Sequence, residues 1–78
     1  MEIVYLKLAE DGSVLAHVKG NSILTVRFKQ DKWEISPSSA WILEREKGAC
    51  EISETEALAL CNNISPRKTL EKIFEILE

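Results

Sequence analysis

His17 is the only histidine in the chain. A histidine is the first place to look for proton transfer near neutral pH. A nucleophilic pair would need a thiolate beside it. The two cysteines, Cys50 and Cys61, are both far from His17 in sequence. Cys61 falls on the apolar face of a helical stretch, whereas His17 falls on a strand and is expected on the solvent side of a sheet. The Cys50–Cys61 spacing fits no zinc pattern, and a single histidine does not complete one. No metal site, no cofactor and no catalytic residue is expected. Two small free thiols are expected instead.

The carboxylates offer an acid–base pair only on paper. Glu44 and Glu46 have Arg45 and Lys47 beside them, and Glu71 and Glu75 have Arg67 and Lys72. A solvated charged face is the simpler account. Gly12, Gly20 and Gly48 are isolated turn residues, so no glycine-rich phosphate loop exists. An enzyme is not expected.

Two clusters of cations remain. Ser65-Pro66-Arg67-Lys68 sets two positive charges at a helix start, where the dipole disfavours them. A phosphate or a partner's carboxylate there would meet free N–H groups. The plainer and favoured account is pairing of Arg67 and Lys68 with Glu71 along the helix. The second cluster is Tyr5, Lys7, His17, Lys19, Arg27 and Lys29, which alternation places with Thr25 on one outer sheet face. A basic face with an aromatic is how a small β domain holds nucleic acid or another anionic partner. The net charge of −3 argues against non-specific binding. A wetted sheet face is favoured.

The elements that must position these residues follow from periodicity and turn chemistry. Strands are expected over 2–8, 14–19, 22–29 and 33–36, separated by turns at Glu10-Asp11-Gly12-Ser13, Gly20-Asn21-Ser22 and Gln30-Asp31-Lys32. A three-residue second turn pairs Lys19 with Ile23. That register gathers Val14, Ala16, Val18, Leu24, Val26 and Phe28 on one apolar face. Residues 40–47 read as a further strand with Trp41 and Leu43 inward, although Ser38 could cap a short helix there. Ser53 and Glu56 form a capping box ahead of a helix with Ala57, Leu60, Cys61 and Ile64 on one face. Asn62-Asn63 ends that helix, since asparagine tolerates left-handed backbone. Ser65-Pro66 opens a second, with Leu70, Ile73, Phe74 and Leu77 in a stripe.

Seventy-eight residues make one domain. Residues 1–36 carry five bases and five acids, and residues 37–78 carry five bases and eight acids, so the helical half is the acidic one. No apolar run approaches the ~20 residues that span a bilayer, and no signal segment is visible. The expectation is a cytoplasmic α+β domain, with no membrane contact. Its antiparallel β-meander of four or five strands (1–52) is followed by two C-terminal helices (53–78) packed on one face. Ile3, Leu15 and Ile23 would then lie on the uncovered face, which points to a homodimer. The expected function is a small non-catalytic protein-binding module that occupies a partner surface. It would be an accessory subunit or an inhibitor, including a phage-type inhibitor of a host nuclease complex. The alternative is a nucleic-acid-binding domain that uses the basic sheet face.

Overall fold

Ile3–Lys7 (β1) and Val14–Val18 (β2) form a hairpin whose turn closes through two backbone bonds. Leu8 N–H donates to the Ser13 carbonyl at 2.8 Å, and Gly12 N–H donates to the Leu8 carbonyl at 3.1 Å. Gly12 sits at φ 74°, a conformation glycine adopts without Cβ strain. Asn21–Lys29 (β3) and Lys32–Ser36 (β4) form a second hairpin around Gln30 and Asp31. Both loop residues are left-handed, at φ 53° and 63°, matching the right-handed twist of the strands. The chain continues through Ser39–Glu46 (α1), Cys50–Ile52 (β5), Glu54–Leu60 (α2) and Arg67–Leu77 (α3). The computed structural model describes residues 2–37 and 39–77; the side chains of residues 21–24, 39 and 77 are not described.

The five strands form one antiparallel sheet in the order β4-β3-β2-β1-β5. The α+β class, the antiparallel meander and the two helices after it are as expected. Leu15 pairs with Arg27, Ala16 with Val26 and His17 with Thr25. That is the register in which Lys19 would meet Ile23, but it shifts after His17 so that Val18 pairs with Asn21. The fifth strand is residues 50–52 rather than 40–47. It pairs with β1 through Tyr5↔Ile52, Leu6↔Glu51 and Lys7↔Cys50.

Residues 40–46 are helical instead, and Lys47 lies in the turn that follows. Trp41 turns inward while Ile42 and Leu43 stay exposed, a spacing that only a helix gives to adjacent residues. Gly48, at φ 97°, ends α1, with Ala49 N–H donating back to the Glu44 carbonyl at 3.0 Å. Ser38 lies outside the described residues. Because β4 and β5 are opposite edges, the β4–α1–β5 connection carries the chain across the whole sheet.

The sheet is therefore covered on both faces. Tyr5, Val14, Ala16, Val18, Val26 and Trp33 pack against Ala57, Cys61 and Leu70 of the C-terminal helical half. On the other face Leu6, Leu8 and Leu15 pack against Trp41, with Val4, Ala40 and Ala49 around them. All five residues of β2 are buried, so its alternation does not mark a wet side.

Ser53 caps α2 as the capping box requires, its Oγ accepting from Glu56 N–H at 3.2 Å. Asn62 and Asn63 take left-handed φ values of 53° and 60° after the helix. Asn63 N–H bonds the Leu58 carbonyl at 2.7 Å. Ser65 Oγ accepts from Arg67 N–H at 3.2 Å and starts α3.

Candidate functional site

The six residues expected on one basic face are divided by the sheet. The pairing Tyr5↔Ala16 puts Tyr5 and Lys7 on the side of α2 and α3. Tyr5 is only 2 % exposed. Its hydroxyl donates to Glu54 Oε1 at 3.4 Å. Burial first, and then the Glu54 carboxylate, push the phenol up to about 12. His17 and Arg27 lie on the opposite side, which α1 covers. Lys19 sits in the β2–β3 turn, with Nζ 3.7 Å from Glu2 Oε1. Lys29 is exposed at the end of β3.

Arg27 Nη2 donates to Asp11 Oδ2 at 2.8 Å and to Ser13 Oγ at 3.5 Å. Asp11 also accepts from Ser13 N–H at 2.9 Å. The Ser13 bonds, then the Arg27 charge, hold the Asp11 carboxyl below its ordinary range. Arg27 is thus committed to fastening the β1–β2 turn onto β3.

The start of α3 has also used its own groups. Ser65 takes the Arg67 N–H that an anion would have taken. Arg67 lines a cleft of about 380 Å³ with Glu2, Ile3 and Glu54, so it faces carboxylates. Lys68 is exposed on the first turn.

The side chains of two of the three residues expected to form a self-association patch are described. Leu15 is 1 % exposed beneath α1, and Ile3 is half-buried against the helical core. The Ile23 side chain lies outside the described residues.

A different grouping appears on the α1 face, at the end of the sheet where β1 starts and β2 ends. Val4, His17 and Trp41 wall a cleft of about 360 Å³. Its rim carries Arg45, Glu51 and the Lys19–Glu2 pair. The His17 and Trp41 rings are in contact, centroids 3.5 Å apart and tilted by 41°. His17 is 8 % exposed, and its Nδ1 is buried without a hydrogen-bond partner. Burial lowers the His17 pKa, Arg45 lowers it further, and Glu51 opposes them. The imidazole is therefore neutral at pH 7. No group of three or more histidine, cysteine or carboxylate side chains among the described residues forms a metal-binding cluster.

Sequence spacing could have found only part of this cleft. Val4 and His17 face each other across β1 and β2, and Trp41 and Arg45 join them from α1, where helical spacing sets them one turn apart. Comparison with protein-family models, with curated proteins and with solved structures returned no match.

Proposed function

We propose that the chain is a small non-catalytic protein-binding module, an accessory subunit or inhibitor that acts by occupying a partner's surface. The contact region is the segment from β4 into α1. The observation that carries this reading is the open edge of β4 with Ile35, which is 73 % exposed. In a two-residue hairpin the pair flanking the loop is hydrogen-bonded, and bonding then alternates. Lys29↔Lys32, Arg27↔Glu34 and Thr25↔Ser36 therefore hold the ladder. The peptide groups of Trp33 and Ile35 point outward, where an extended partner segment can add a strand. Just beyond, α1 exposes Ile42 at 58 % and Leu43 at 51 %. Adjacent exposed apolar side chains next to a free edge are the kind of surface that partners cover.

No helix among the described residues is long and apolar enough to cross a membrane. The nucleic-acid alternative needs Tyr5, Lys7, His17, Lys19, Arg27 and Lys29 on one face. The division of those residues between two faces removes its support.

The test compares the wild-type chain with Ile35→Pro and with the double variant Ile42→Lys/Leu43→Lys. Proline at 35 removes an outward N–H and no ladder bond, so it leaves the β3–β4 hairpin intact. Proteins captured from the native host should be lost from at least one variant that keeps the wild-type melting midpoint. A second copy of the chain is one such partner. In that case light scattering gives twice 8.8 kDa for the wild type and 8.8 kDa for the variant. Equal capture and equal mass for all three proteins, or salt-dependent retention on an oligonucleotide that all three share, would sink the reading.

A further inference from the structure

We propose that the cleft between α1 and the β1–β2 hairpin is a binding site for a small zwitterion of the free α-amino-acid class. This site is separate from the β4 edge. Its volume, about 360 Å³, lies at the small end of the roughly 300–1,000 Å³ typical of ligand pockets. That suits a molecule of amino-acid size.

Charge decides the class. Four charged side chains line the cleft. Lys19 and Glu2 largely cancel each other at 3.7 Å. Arg45 and Glu51 remain, one of each sign. Neither makes an ion pair with any described residue, so each brings an unpaired charge to the same opening. Arg45 comes from α1 and Glu51 from β5, so the fold holds them on different elements. A plain anion would satisfy Arg45 and be repelled by Glu51, and a plain cation would do the reverse. A molecule carrying both charges bridges the two, its carboxylate on the guanidinium and its ammonium on the carboxylate.

The floor supplies a second, independent sign. His17 is more than nine-tenths buried and its residue lines the cleft, while its Nδ1 is closed off from solvent and has no hydrogen-bond partner. Buried polar atoms without partners are uncommon, and they gather where a structure is adapted for something other than its own stability. The imidazole is neutral, so it adds no net charge to disturb the balance between Arg45 and Glu51. Val4 and Trp41 line the same cleft and offer apolar surface to a short side chain.

Amide and side-chain NMR of the intact chain at neutral pH tests the site, with glycine, L-alanine and L-leucine as probes. N-acetyl-L-alanine lacks the ammonium, and L-alaninamide lacks the carboxylate. The free amino acids should give saturable shifts at His17, the Trp41 indole, Arg45 and Glu51, and both blocked forms should bind at least fivefold more weakly. Arg45→Gln and Glu51→Gln should each weaken binding at least fivefold. Both positions are exposed, so thermal midpoints should stay at the wild-type value. Absence of saturable shifts overturns the proposal. So does equal binding of N-acetyl-L-alanine, which would mark a simple anion site, or unchanged binding in both variants.

Discussion

His17 shows how far a residue's type can mislead about its surroundings. A lone histidine on an alternating strand reads as solvent-facing, yet here it packs against the tilted Trp41 ring and is almost fully buried. Alternation reports which side chains share a face, and it says nothing of whether that face is covered. The consequence is a pH dependence. Burial and Arg45 hold the imidazole below its ordinary value of 6.5, so the unfolded chain binds the proton more readily. The stability this neutral histidine contributes is fully present above 6.5 and drains away as pH falls below it. The denaturation midpoint should therefore fall as pH is lowered below 6.5. In His17→Phe that slope should vanish; a slope that persists there would assign the effect to other groups. The two thiols differ in the same physical way. Cys50 is exposed, whereas Cys61 is buried and its thiol is pushed up to about 11 by desolvation. Alkylation of the native protein should label Cys50 alone, and denaturation should open Cys61. Labelling of Cys61 at the Cys50 rate would contradict the packed α2–sheet interface.

The elements that were legible are those whose ends are written in side-chain chemistry. Ser53 bonds Glu56 N–H, Ser65 bonds Arg67 N–H, and Asn62 and Asn63 turn left-handed where asparagine is tolerated. Such signals are local, so they survive without knowledge of the rest of the fold. Ser53→Ala should lower stability by ~1 kcal/mol, because the Glu56 amide loses its acceptor. An unchanged urea midpoint would mean that water replaces the hydroxyl at no cost. The element that was misread is α1. Eight residues give barely two turns, and Trp41-Ile42-Leu43 is an apolar run that suits a strand equally well. The signal against a strand lay at its end. Arg45 and Lys47 stand just before Gly48, a helix C-terminus written in charge and glycine. The misreading also hid the candidate cleft, since a helix sets Trp41 and Arg45 one turn apart, whereas a strand would spread them roughly 13 Å along one face.

At the scale of the whole molecule, the placement of α1 decides what the sheet can do. With α2 and α3 alone, one face of a five-stranded sheet would carry Leu6, Leu15 and Val4 to solvent. A chain of 78 residues has little apolar surface to spare, so a second molecule would have been the natural cover. The connection between the two edge strands supplies that cover from within: Leu15 is buried beneath α1, while Ile3 lies on the other face, half-buried against the C-terminal helical half. The two arrangements make opposite forecasts for one substitution. If Leu15 lay at a dimer contact on an open face, Leu15→Lys would separate the subunits and leave each folded. Beneath α1, the same lysine would place an ammonium among Leu6, Leu8 and Trp41 with no carboxylate in that cluster to meet it. Burying an unpaired charge costs several kcal/mol, a large share of the total stability of a domain this size. Leu15→Lys should therefore unfold the protein or lower its midpoint by an amount equivalent to roughly 3 kcal/mol or more. Leu43→Lys, two residues along α1 from Trp41 and half-exposed, is the matched control and should change stability by less than about 0.5 kcal/mol. Circular dichroism through a urea titration distinguishes the two. A Leu15→Lys protein that stays folded with the wild-type midpoint would place α1 off the sheet, and the cleft that α1 closes would go with it.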